Sequence, residues 1–433
     1  MSKDAIKISF LMYFLVIGIC LGFSFPVEAK QSDLTLDHAQ DLALKNSHIL
    51  QKYDAEIKAV KIMSKAAYEL PDPLLTFGID NLPIDGEDKF NLSNDFMTMR
   101  RIGIMQEMTR KQKRQLRSEQ FVQQAQLILA KKNEAITRIE RDTALAWLKL
   151  YYADAMFKKI NTLKKAYENN TKATEASYRA GKNTAAEALQ THVLATQLKN
   201  KSDALQRQIK TAHIDLERWV GKTEVITLHS LPNIYSLNFE SNNLKSHLLN
   251  HPEIIVLSKK IDIANTEVQL AQANKKSDWS LELSLQQRGS AYSNMVSLGA
   301  SIPLQLDQKN RQNNQVIAQQ FLVEAALSER DETLKKHIAE IQSDIETWHE
   351  LNERKKRYQK ILIPLIKNQT QSIMAAYQGG KSTLLDVLQA RQTEIEIDIE
   401  VLELESDIAM VWAKINFILP RSFTSKNSHK DNL

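Results

Sequence analysis

Two stretches of this chain read almost alike, and together they limit what it can fold into. Tyr178-Arg-Ala-Gly-Lys-Asn-Thr-Ala-Ala-Glu-Ala-Leu-Gln190 returns as Tyr377-Gln-Gly-Gly-Lys-Ser-Thr-Leu-Leu-Asp-Val-Leu-Gln389. A period of roughly 200 residues is too long for a solenoid unit and marks a duplicated half. Tyr, Gly, Lys, Thr, Leu and Gln recur in register, with Asp386 where the first copy has Glu187. Gly181 and Gly380 suit the left-handed backbone position that ends a helix. Thr184 and Thr383 follow at a spacing fit to cap the next helix. Each copy therefore reads as a hairpin tip, at 178–184 and 377–383, joining two long helices.

The flanks agree. No Gly or Pro falls between Lys111 and Ser177, which predicts a helix about 100 Å long at about 1.5 Å per residue. Ile136, Ile139, Thr143, Ala146 and Leu150 alternate steps of three and four, the seam of a coiled coil. After the first tip a returning helix runs to Trp219. Asn310 to Gln378 is the second long helix. Leu334, Ile338, Ile341, Ile345 and Trp348 keep the same rhythm, and Trp348 takes the place of Trp147. Pro364 should kink this helix roughly 20 Å before the tip. The last helix runs from Thr383 to Leu419. Shorter helices are expected over 33–69, capped by Ser32 or Asp33 and ended by Pro71-Asp-Pro73, and over 244–274, broken at His251-Pro252.

Between the helices lie four stretches with a two-residue period: 74–80, 95–108, 279–287 and 295–303. Leu75, Phe77 and Ile79 share one face. Trp279, Leu281, Leu283 and Leu285 alternate with Ser280, Glu282, Ser284 and Gln286. The parity of the second stretch flips across Arg100-Arg101, where a bulge would reconcile its two runs. Stretches of about ten residues that change polarity at every step have the length and period of a membrane β-strand. A soluble sheet with one wet face has the same pattern.

Residues 1–29 have the form of a secretory signal peptide: Lys3 and Lys7, the apolar run Ile8 to Phe25, then Val27-Glu-Ala29 at a cleavage position. The only cysteine, Cys20, lies inside it. Ile19 before it and the apolar residues after it argue against lipidation. The mature chain then has no disulfide and no thiolate metal site. Beyond residue 29 no apolar run is long enough for a membrane helix. A formal charge of +5 over 433 residues gives no footprint for nucleic acid. The duplication divides the rest into a first repeat at 30–220, an irregular connection at 221–245, a second repeat at 246–420 and a polar tail at 421–433.

These pieces carry a geometric consequence. A sheet in lipid must close, because no water satisfies a free strand edge. The smallest barrels have about eight strands. Four strands per chain that span a membrane must therefore be pooled among several copies.

The order helix, strand pair, long helix, tip, long helix, given twice, resembles the TolC family of outer membrane efflux proteins from Leu34 to Leu419. The tip residues Tyr377, Gly380, Asp386, Val387 and Leu388 carry the resemblance most clearly. Leu70-Pro-Asp-Pro-Leu-Leu, Asn81-Leu-Pro and Phe96-Met-Thr-Met-Arg-Arg-Ile-Gly-Ile-Met-Gln-Glu are similar to members that serve heavy-metal efflux pumps. The resemblance implies a mainly α fold with a small membrane β part. It implies a homotrimer, with one twelve-stranded β-barrel in the outer membrane and an α-helical barrel across the periplasm. A periplasmic adaptor and an inner-membrane pump of the resistance-nodulation-division type would meet the tips. Conduction would be passive, with no enzyme chemistry and no cofactor.

The resemblance also implies residue roles. Asp386 falls at the first acidic position of the ring that narrows the periplasmic mouth, and Gln389 falls where the family has a second acid. Glu187 and Gln190 occupy the matching places in the first half. An acidic ring attracts cations and repels anions. Acids are also favoured at any helix start, so a plain capping role stands beside the pore role. Tyr178, Gly181, Tyr377 and Gly380 would shape the tips and meet the adaptor, or simply end helices. Met97, Met99, Met105 and Met108 could offer thioethers to Cu(I) or Ag(I), or pack at the barrel–helix junction. Arg110, Lys111, Lys113, Arg114 and Arg117 could meet lipid phosphates, with Trp279 as an interfacial anchor, or form a solvated helix start. The ten His show no ligand spacing, so no metal site is expected. Rival readings are a periplasmic coiled-coil adaptor, which would have one hairpin, a soluble periplasmic enzyme, which would need converging catalytic groups, and a channel for drugs or organic solutes.

Overall fold

A computed structural model describes residues 33–181, 184–222, 227–228, 230–237 and 244–418. Residues 1–29, read above as a signal peptide, with Cys20, residues 182–183 of the first tip, part of the 221–245 connection and the tail 421–433 lie outside the described residues.

The elements are β1 (Asp33–Leu34), α1 (Leu36–Lys45), α2 (His48–Tyr68), β2 (Leu74–Asp80), β3 (Met99–Met108), α3 (Lys111–Arg179), α4 (Ala185–Val220), β4 (Thr227–Leu228), α5 (Leu244–Leu249), α6 (Pro252–Ala273), β5 (Trp279–Gln287), β6 (Met295–Ser301), α7 (Gln312–Arg357), a π turn (Tyr358–Leu362), α8 (Ile363–Gln378) and α9 (Leu384–Asn416). Helix–strand-pair–helix–tip–helix occurs twice, as the repeat requires. Among the described residues, no helix is long and apolar enough to cross a membrane.

Several boundaries differ from expectation for local reasons. The first helix does not start at Asp33, because β1 pairs in parallel with β4 there. Thr35 is the cap instead, accepting from the His38 N–H at 3.3 Å. The helix also breaks at Asn46-Ser47, where Asn46 Nδ2 donates to the Val220 carbonyl that ends α4, at 2.8 Å. Pro364 acts through the backbone one turn earlier. Its missing N–H and its ring displace the preceding turn, and residues 358–362 widen into a π turn.

α3 is 69 residues long. Its expected seam is buried at Ile139, Thr143, Ala146 and Leu150, but Ala144, Trp147 and Leu148 are buried too. The cause is contact on several sides, since α1, α2, α4, α6 and α9 all pack on α3. α7 keeps the narrow stripe, with Leu334, Ile341, Ile345, Trp348 and Leu351 buried. The duplication reappears as a pair of matched anchors. Trp147 Nε1 donates to the Leu34 carbonyl at 2.9 Å, and Trp348 Nε1 to the Ile234 carbonyl at 3.1 Å. The described part of the connection is held further by Trp412 Nε1 on the Ser236 carbonyl and by Lys355, which reaches the Tyr235 hydroxyl and pairs with Glu405 at 2.8 Å.

The four longer strands form one antiparallel sheet in the order β2-β3-β5-β6. Its register is continuous, with Ile79 opposite Arg100 and Gly78 opposite Arg101. The bulge expected at Arg100-Arg101 is therefore absent. β3 begins at Met99, so Met97 belongs to the preceding loop and no parity conflict exists within the strand. β6 likewise stops at Ser301, two residues short of expectation.

Candidate functional site

The sheet has two unlike faces. In register, Phe77, Ile102, Leu285 and Val296 form one row, and Leu75, Ile104, Leu283 and Leu298 the next. All eight side chains are exposed, Phe77 at 81% and Leu298 at 72%. In a soluble sheet this face would be covered, because a continuous apolar patch of this kind is costly in water. The other face carries Thr76, Gly103, Ser284 and Ser297 in one row. Beside it, Arg101 bridges three strands, pairing with Asp80 at 3.0 Å and Glu282 at 3.1 Å. Apolar outside and charged inside is the arrangement of a strand between lipid and water. Gly103 is required by its neighbours as well, since a Cβ there would stand 2.8 Å from the Cβ of Ser284. Among the described residues, β2 and β6 remain as free edges.

The Arg101–Asp80–Glu282 cluster was missed in the sequence. Its signal is the parity of the strand, which puts Arg101 on the face opposite Ile102. The supposed bulge obscured that parity.

At the start of α3 the basic cluster is divided. Lys113 is buried and pairs with Asp278 at 2.7 Å. Arg110 donates to the Ser277 carbonyl, and Arg114 to the Tyr68 carbonyl, both at 2.8 Å. Burial would raise the Asp278 carboxyl, but the Lys113 hydrogen bond and the Arg110 N–H together hold it below its usual value. These three bases therefore fasten the strand pairs to the helices. Lys111 and Arg117 stay exposed.

The two tips match in detail. Gly181 and Gly380 have φ of 71° and 70°. A Cβ at either would meet nothing within 4 Å, so glycine is there for its backbone conformation alone. Each tip closes with a capping box. Thr184 Oγ1 accepts from the Glu187 N–H at 3.2 Å, and Glu187 accepts from the Thr184 N–H at 3.4 Å. In the second tip Asp386 Oδ2 accepts from the Thr383 N–H, the Thr383 hydroxyl and the Ser382 hydroxyl, each at 2.8 Å. The Thr383 N–H first, then the two hydroxyls, hold the Asp386 carboxyl below its ordinary value. Both acids thus cap helices through one oxygen, as elementary helix chemistry allows. Gln389 and Gln190 follow one turn on and are exposed. Tyr178 and Tyr377 are exposed at the hairpin ends. Beside the second tip the buried Tyr167 hydroxyl donates to the Leu388 carbonyl at 2.7 Å, and burial, then Glu396, pushes it up to about 12. That bond seats α9 on α3 next to Asp386.

Met99, Met105 and Met108 lie along β3, while Met97 sits in the loop before it. The fold also gathers His251, Glu253 and His337, with one possible ligand atom from each within 4.8 Å of the others. Spacing could not reveal this group, because His337 meets Glu253 across 84 positions.

Residues 243–419 match the family model for outer membrane efflux proteins. That segment holds one strand pair and one tip, and the first half repeats the same plan. The match covers the second half, and that half carries the likeness to the family. No curated protein sequence matches the chain. Among solved structures it is similar to the outer membrane protein VceC of Vibrio cholerae, with 18% identity and a TM-score of 0.69 over 88% of this chain and 95% of that one. It is similar to the CmeC outer membrane channel of Campylobacter jejuni at 14% identity and a TM-score of 0.73, over 94% and 93%. CusC, described as forming a transmembrane channel, gives 14% identity and a TM-score of 0.72 over 92% and 95%. At these identities the likenesses speak for the fold.

Proposed function

We propose that three copies pool their strands into one twelve-stranded barrel, and that this trimer is the outer membrane component of a tripartite efflux system. The single observation that carries the reading is the sheet itself: an exposed apolar face, a charged opposite face and two free edges in one chain. Lipid accepts the first, a water-filled lumen the second, and neighbouring copies the third. The long helices then continue the pipe, and the tips present Tyr178, Gly181, Tyr377 and Gly380 to a periplasmic adaptor coupled to an inner-membrane pump of the resistance-nodulation-division type. Conduction is passive.

The cargo we propose is heavy-metal cations. The stretches 70–75, 81–83 and 96–107 support it, and so does acidity at the mouth from Asp386 and Glu187, with Gln389 and Gln190 lowering the charge of the ring. Deleting the gene should raise sensitivity to one or more of copper, silver, zinc, cobalt and cadmium, with restoration by the intact gene. Unchanged metal tolerance with new sensitivity to organic drugs would replace the cargo. In planar bilayers the purified trimer should pass cations in preference to anions. Asp386→Asn keeps an oxygen for the cap and should lower that preference about two- to five-fold, as expected when one ring of charge is removed. An unaltered cation preference would leave Asp386 as a helix cap only.

A further inference from the structure

We propose that His251, Glu253 and His337 form a binding site for a divalent transition ion of the zinc class, which staples the start of α6 to α7. Neither the barrel nor the tips use these residues.

The case starts with the donors. Two imidazoles and a carboxylate suit Zn²⁺, Co²⁺ or Ni²⁺ and do not suit Mg²⁺ or Ca²⁺. The rings of His251 and His337 stand 4.5 Å apart between centroids, and His337 Nε2 lies 2.9 Å from Glu253 Oε2. Ligand bonds of about 2.0–2.2 Å in a tetrahedral site put donor atoms about 3.3 Å apart. The group is therefore near the required spacing, and side-chain rotation closes the remainder. Glu253 is 44% exposed, which leaves a side open for a water as the fourth ligand.

Hydrogen-bond accounting favours an ion as well. A neutral imidazole has one N–H and one lone pair. His337 faces carboxylates through both nitrogens, Glu253 at Nε2 and Glu340 Oε2 at Nδ1, 3.4 Å away. One N–H cannot serve both. With an ion at Nε2, the Nδ1–H donates to Glu340, the carboxylate–imidazole–metal arrangement that fixes a ligand's tautomer. His251 Nδ1 accepts the Glu253 N–H over a long 3.3 Å. A ring nitrogen of His251 completes the group with His337 and Glu253. The charges around the group are mixed: burial first and then the Glu253 carboxylate raise Glu134, against Arg138 and Lys131, and Arg141 is paired with Asp142 at 2.8 Å.

This proposal does not depend on what the channel carries, so binding and strain phenotypes fail separately. The test uses the full mature protein, free of any histidine tag, in detergent. It is dialysed against Zn²⁺ and, in parallel, Co²⁺, whose visible absorption reports nitrogen and oxygen ligands. The expected result is one ion per chain. His251→Asn, Glu253→Gln and His337→Ala should each weaken binding about 100-fold or more, at or beyond the upper end for loss of an outer-shell partner. His192→Ala, which removes another carboxylate-paired histidine at 2.7 Å from Glu175, should leave it unchanged. Glu253→Gln preserves shape and carries the test if a histidine variant misassembles. Wild-type protein that retains no ion would overturn the proposal and leave His337 as a side chain held between Glu253 and Glu340. Equal retention by the three ligand variants would overturn it too.

Discussion

Replacing Leu283 with arginine should remove the assembled protein from the outer membrane. Leu283 sits mid-strand in β5, opposite Ile104 on one side and Leu298 on the other, within the exposed apolar rows. An arginine near the bilayer midplane costs about 2–4 kcal/mol in a membrane barrel. In a trimer the cost is incurred three times, so folding and assembly lose roughly three times that figure. The measurement is the amount of heat-resistant trimer in washed outer membranes. Ser297→Arg is the matching control. Ser297 lies on the adjacent strand β6 but on the polar face, where its hydroxyl meets Gln286 at 2.8 Å. An arginine there projects into water, and trimer should persist. Equal loss in the two variants, or full trimer in both, would contradict a lipid-facing belt.

Much of this sheet was legible in the sequence because its signal is strict. Alternation with a period of two says which residues share a face before any partner is known. Leu75, Phe77 and Ile79 are exposed together, as their parity required. The period cannot mark where a strand begins. Met97 and Met99 share a parity across a loop boundary, and that coincidence suggested a bulge the register does not contain. The same limit holds for helices. Gly and Pro punctuation located both tips and the break at His251-Pro252. The break at Asn46 depends on a carbonyl from α4, and local sequence holds no trace of it.

The site was legible where its chemistry is local. Thr383 and Asp386, or Thr184 and Glu187, lie three residues apart, and that spacing is enough to specify a capping box. The bases after β3 were harder. Lys113 reads as one more charge on a wet helix until Asp278 arrives from the other half to bury it. His251 and His337 were opaque for the same reason. Convergence between distant segments is a property of packing, and a single sequence without its fold does not display it.

Truncating the paired tryptophans should give the largest effect in the helical part. Trp147 is completely buried, stacks on Tyr151 with ring centroids 5.4 Å apart, and donates to the Leu34 carbonyl. Trp348 is 8% exposed and does the same for the Ile234 carbonyl. Removal of so large a side chain leaves a cavity and an unsatisfied carbonyl, and Trp→Ala in a core costs about 3–5 kcal/mol. Trp147→Ala should be the worse of the two, because its site is the more completely enclosed. Trp→Phe at either position keeps most of the volume and loses the N–H, which should cost about 1–2 kcal/mol. Heat-induced loss of the folded trimer reports the change at both positions, and protease cleavage near Ile234 reports it for Trp348, which anchors the connection there. Alanine variants as heat-resistant as wild type would mean that the connection is held by Trp412 and Lys355 instead, and that the duplicated anchors carry little of the load between the two halves.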